Sequence, residues 1–189
     1  MRFGIVLISL IIFFGCDTKP ENIGADETYF NLEEILIKEI EYLLQENAGI
    51  EKAVISNNVE ERIESQPSSK DEWQSQLALF IDANIAKPGL RGAYHEESLT
   101  TMNGVSKTIY SAKNNKLTVQ TFECLYQNEV LTQIGISMIE KNSIFTSTKD
   151  LTLYFNPTGE HILGFDVKGK EKMQLKEELH FEIKAVIIY

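Results

Sequence analysis

The chain has 189 residues, enough for one domain or at most two small ones. Its 18 basic and 28 acidic residues give a net charge of −10, which argues against nucleic acid and anionic headgroups as partners. With only Cys16 and Cys124 there is no disulfide framework, so stability must come from an ordinary core.

The start reads MRFGIVLISLIIFFGCDTKP. Arg2 gives a positive end. The apolar run Phe3–Phe14 is shorter than the about 20 residues a spanning helix needs and has the length of a signal-peptide core. Small Gly15 then precedes Cys16. The pattern resembles the lipobox of bacterial lipoproteins, in which the cysteine thiol is acylated. Phe13 and Phe14 stand where that box prefers leucine and a small residue. An ordinary signal peptide and a retained anchor helix are the competing readings. The expected organisation is a signal peptide over 1–15, a lipidated Cys16 opening a flexible tether over 16–28, and one domain over 29–189. Two acyl chains hold a protein stably, because each buried CH₂ contributes about 0.8 kcal/mol.

The first half reads as helical. Asn31 can cap a helix with Glu34 as its reciprocal partner, and Phe30 and Ile35 suit a hydrophobic staple. Leu32, Leu36, Ile40, Leu43 and Leu44 follow at helical spacing, and Asn47 and Gly49 are stop signals. Ile50–Gln66 reads as a second, thinner amphipathic helix interrupted at Asn57–Asn58, with a short strand at Ala53–Ser56 as its rival. Ser69 and Glu72 box a third helix with the stripe Trp73, Leu77, Phe80, Ile81 and Ile85. It stops at Lys87–Pro88–Gly89.

From Lys107 the period changes to two. Strands are expected at Thr108–Ser111, Leu117–Tyr126, Val130–Met138, Ile144–Ser147 and Leu151–Phe155 (two strands or one with a break), His161–Val167 and Leu179–Tyr189. The apolar face switches near Thr121, which signals a bulge or a sheet buried on both sides. Asn156–Pro157–Thr158–Gly159 is the strongest turn. Short turns imply an antiparallel meander. The predicted fold is α+β. About three helices (29–88) pack on a sheet of six or seven antiparallel strands (107–189), and a linker over 89–106 joins them.

Candidate sites are few. The linker groups Arg91, Tyr94, His95 and Glu96, an anion donor, a base and an acid, so it is the candidate binding loop. The alternative is that Leu90 and Tyr94 pin it to the core while its charges face water. His161 and His180 read as solvated surface positions, and the spacing of the histidines suggests no metal site. Cys124 reads as a small buried hydrophobe. The lysines from Lys168 to Lys176 are interrupted by Glu171 and read as a solvated loop or strand end. No nucleotide, nucleophile-elbow or metalloprotease motif occurs, so no catalytic residue or cofactor is expected.

Two features together carry a resemblance. One is the short signal ending in Cys16 with its polar tether. The other is the phrase Trp73…Leu77…Phe80…Asp82…Asn84–Ile85…Lys87–Pro88, followed by Arg91–Gly92 and Tyr94. They resemble small lipoproteins of the Bacteroidetes. The resemblance implies a lipid-anchored place in the cell envelope, with the outer membrane preferred over the inner. It brings no activity, cofactor or catalytic residue. The leading expectation is a non-enzymatic binding or assembly role toward an envelope protein, peptide, glycan or lipid. A periplasmic carrier of an apolar or lipid ligand is second, and a hydrolase is the least favoured.

Overall fold

A computed structural model describes residues 29–57 and 59–189, so Cys16, the signal and the tether lie outside the described residues. Helix α1 spans Leu32–Gln45, and Asn31 caps it by accepting the Glu34 amide at 3.4 Å. Its buried face is Leu32, Leu36, Glu39, Ile40 and Leu43. Asn47, in the left-handed region at φ 52, turns the chain out of the helix, and the Ala48 amide closes on Leu43 O at 2.9 Å.

The next segment is a hairpin rather than the expected helix. Strand β1 (Gly49–Ser56) pairs with β2 (Val59–Ser65), and Ser56 faces Val59, so two residues make the turn. Asn57 adopts φ 47, as a tight hairpin turn requires. Ile50, Val54, Val59 and Ile63 recur at intervals of four and five residues, as on a helix face, but a spacing of four also puts Ile50 and Val54 on one face of a strand. Pairing from Ile50 to Ser56 with β2 on one side and with the last strand, Leu179–Ile188, on the other decides for the strand.

The third predicted helix is divided into α2 (Lys70–Gln76) and α3 (Ala78–Asp82). Ser75 Oγ donates back to Asp71 O at 3.0 Å, a local bond that bends helices, and the axis breaks at Leu77. The apolar stripe survives the break, with Trp73, Leu77, Phe80 and Ile85 all buried. Buried Asn84 closes the corner. Its Nδ2 donates to Glu33 Oε2 at 3.2 Å and its Oδ1 accepts the Ala86 amide at 3.3 Å.

The interval expected to be a linker carries strand β3 (Tyr94–Thr100). The meander continues through β4 (Val105–Ala112), β5 (Val119–Gln127), β6 (Val130–Lys141), β7 (Phe145–Phe155), β8 (Ile162–Met173) and β9 (Leu179–Ile188). All pairs are antiparallel, and the order β2-β1-β9-β8-β7-β6-β5-β4-β3 makes one nine-stranded sheet of the described residues. The α+β class and the helices on one sheet face are as expected. The strand number exceeds the expected six or seven, because β1, β2 and β3 lie in segments read as helix and linker. β7 is continuous.

The face switch in β5 is a bulge. Val119 pairs with Met138 and Thr121 with Ser137, which leaves Gln120 unpaired and returns Val119 to the face of Phe122 and Cys124. That inner face meets Phe30, just before the cap of α1, through Phe122, and meets α3 through Phe80 on Phe165, with ring centroids 5.7 and 5.3 Å apart. Each large apolar side chain buried there contributes about 1.5–3 kcal/mol. The edges are guarded by charge. Glu60, Glu61, Arg62 and Glu64 line β2, and His95, Glu96 and Glu97 line β3.

Gly164 sits where β8 crosses close to β9, and a Cβ there would enter the Ala185 carbonyl. Gly89 faces open space. Gly164→Ala is therefore expected to destabilise by about 1–3 kcal/mol, whereas Gly89→Ala changes stability by no more than about 0.5 kcal/mol. Urea unfolding of the two variants tests the contrast.

Candidate functional site

The turn Asn156–Pro157–Thr158–Gly159 places the first member of the site. Asn156 Oδ1 accepts the amides of Glu160 and His161 at 3.0 and 3.3 Å, and Asn156 N donates to His161 O at 2.8 Å. Gly159 holds φ 74, and a side chain there would strike Val130 and Leu131 at the start of β6. His161 is thus fixed at the mouth of β8.

Helix α1 supplies the second member. Glu39 interrupts the helix's apolar face and is only 3% exposed. Its Oε1 accepts the Ile162 amide at 2.9 Å, and its Oε2 lies 3.1 Å from His161 Nδ1. A carboxylate this deep is costly unless paired, and these two partners compensate it. The imidazole also stacks on Tyr42, one turn further along α1, with centroids 3.6 Å apart and planes at 18°. Its Nδ1 is committed to Glu39. The ring keeps 30% of its side-chain surface exposed, and its Nε2 makes no hydrogen bond among the described residues.

The C-terminal residue joins them. The Tyr189 ring lies 6.2 Å from that of Tyr42. Partial burial first, then the charges of Glu39 and Glu46, push its phenol up to about 12, so it remains a donor at neutral pH. Tyr189 also lines an open cleft of about 530 Å³ with Asn47, Glu64, Ser65 and Gln66. Gln66 Nε2 donates to Asn47 O at 2.9 Å and ties the exit of α1 to the end of β2 across this cleft. The result is an aromatic row, His161, Tyr42 and Tyr189, whose Tyr189 end lines a cleft carrying an acid and amides. Such a site can stack on apolar ring faces and exchange hydrogen bonds with a neutral or cationic ligand.

The expected binding loop does not converge. Arg91 is exposed in the turn before β3, and Tyr94 is buried. Tyr94 Oη donates to Val119 O at 3.1 Å, and Tyr94 N donates to Tyr29 Oη at 3.0 Å. This is the core-pinning alternative. His95 and Glu96 are neighbours on a strand, so their side chains leave opposite faces. Neither they nor Arg91 line the cleft at Tyr189. Among the described residues there is no cluster of three or more metal-ligating side chains, and no helix is long and apolar enough to cross a membrane.

Three smaller expectations are met. Cys124 is buried, and burial pushes its thiol up to about 12. Trp73 is core, although its Nε1 has no hydrogen-bond partner among the described residues. His180 is exposed beside Glu178 at 2.8 Å, as expected of a surface position. His161 corrects its reading as a solvated residue, because a buried carboxylate and a tyrosine ring hold it.

Removing the imidazole strands the carboxylate. His161→Ala is expected to cost about 3 kcal/mol, and Glu39→Gln less, because its amide oxygen still accepts the Ile162 amide. In a double-mutant cycle read by denaturant unfolding, the two changes should couple by more than about 1 kcal/mol. Strict additivity would show that the pair does not act as a unit. The chain matches no protein-family model, no curated protein and no solved structure, so the chemistry of the site stands on the geometry above.

Proposed function

We propose that the protein is a lipid-anchored binding module of the bacterial cell envelope, of the kind its resemblance to Bacteroidetes lipoproteins implies, with a non-enzymatic role. The row His161–Tyr42–Tyr189 and its cleft are the recognition surface. The single observation that carries the reading is the ring row from His161, oriented by a buried carboxylate, through Tyr42 to Tyr189, which lines an open cleft of about 530 Å³. Oriented polar groups with exposed aromatic rings are what a binding site needs.

The anchor rests on the Gly15–Cys16 pattern and the short apolar run before it. Tyr42 lies near the C-terminal end of α1, roughly 20 Å along the helix from Tyr29 at 1.5 Å per residue.

An apolar carrier would hold its ligand between helices and sheet. Trp73, Phe80 and Phe122 fill that interface and are at most 1% exposed, so the open cleft is the better candidate. Two measurements test the proposal. Cys16→Ser is expected to abolish incorporation of labelled palmitate and move the protein from the membrane to the soluble fraction. A form lacking residues 1–16 is expected to capture the same envelope component as the full chain, and Tyr42→Ala with Tyr189→Ala to lose it. Persistent membrane attachment of Cys16→Ser would refute the anchor. Capture that survives loss of both tyrosines would refute the surface.

A further inference from the structure

The lysines of β8 look diluted in sequence, because Glu171 stands among them. Strand geometry sorts them. Val167 and Gly169 are buried and face the helices with Glu171, while Lys168, Lys170 and Lys172 are exposed on the outer face. Glu171 is drawn inward by Ser147 Oγ at 3.5 Å and Lys149 at 3.8 Å. The outer face of β8 therefore carries an unbroken row of three lysines on a chain whose net charge is −10.

This row borders a concavity of about 480 Å³ on the outer face. Thr148 and Asp150 of β7, Lys168 and Lys170 of β8, and His180 and Glu182 of β9 line it. The carboxylates are already engaged. Asp150 accepts from Ser137 Oγ at 2.6 Å, and Glu182 is shared by Lys168 at 3.5 Å and Lys184 at 3.3 Å. Lys170 has no ion pair among the described residues. The groove thus holds a cation with no carboxylate of its own, flanked by a second lysine that shares one.

We propose that this groove binds a small soluble polyanion of the phosphate class. Lysine is a compact point charge with rotating donors, which suits phosphoryl oxygens. Arginine, whose fork matches a planar carboxylate, is absent from the lining. Same-face strand residues lie about 7 Å apart, so Lys168 and Lys170 can each engage one end of a short polyphosphate. Thr148 and Asn57 offer further hydrogen bonds to its oxygens. A flat anionic membrane would also meet Asp166 outside the concavity, whereas a discrete ligand meets only Asp150 and Glu182, which Ser137 and two lysines already engage. The site lies on the opposite sheet face from the helices and is independent of the aromatic cleft.

The test is calorimetric titration of the full chain with inorganic tripolyphosphate at low ionic strength. Binding of one tripolyphosphate per chain is expected, weakening as salt is added. Lys170→Gln should weaken it about tenfold or more. Lys116→Gln, an exposed lysine in the turn before β5, should leave it unchanged, as should Tyr189→Ala. Lys170 is exposed, so an unaltered melting temperature will show that the variant is folded. No binding by the wild type, or equal losses for Lys170→Gln and Lys116→Gln, would overturn the proposal. Sedimentation with phosphatidylglycerol vesicles in the absence of tripolyphosphate binding would overturn it in favour of a lipid surface.

Discussion

One buried carboxylate joins the two layers of this protein. Apolar packing presses α1 onto the sheet but does not set its position along the sheet, because leucine and isoleucine contacts have little direction. Glu39 supplies direction. Its two oxygens receive the Ile162 amide and the His161 ring, both at the start of β8. The helix is thereby registered against one strand, Tyr42 meets the imidazole, and β1 leaves the helix beside β9. The cleft at Tyr189 follows from that register.

Much of this was legible in the residues. Asn31 with Glu34 and Ser69 with Glu72 announced two helix starts, and the Asn156–Gly159 turn placed the entry to β8. The displaced apolar face near Thr121 announced a bulge that the register places at Gln120. What stayed hidden depends on partners distant in the chain. β1 and β2 have weak patterns because β1 depends on pairing with distant β9 and β2 is a charged edge strand held only by β1. β3 is an edge strand with one buried residue, so its composition is that of a loop.

The sites show the same division. Residues adjacent in sequence suggested a cluster at Arg91–Glu96, and the two-residue period of a strand dispersed it. The same period gathered Lys168, Lys170 and Lys172 by turning Glu171 inward. Glu39 did leave a local signal, since an acid on the stripe of Leu32, Leu36, Ile40 and Leu43 demands a buried partner. Its partner, His161, lies 122 residues away, beyond what pattern alone identifies.

The pairing of β1 with β9 also constrains the order of folding. Gly49 faces Ile188, so the strand that follows the first helix has no neighbour except β2 until the last strand has been made. A two-stranded hairpin is marginal in water, and contacts this remote in sequence form slowly because the loop between them must first be closed. The pairing of β1 on its second side therefore waits for β9, and the nine-stranded sheet of the described residues closes into one piece only when β9 has joined β1 to β8.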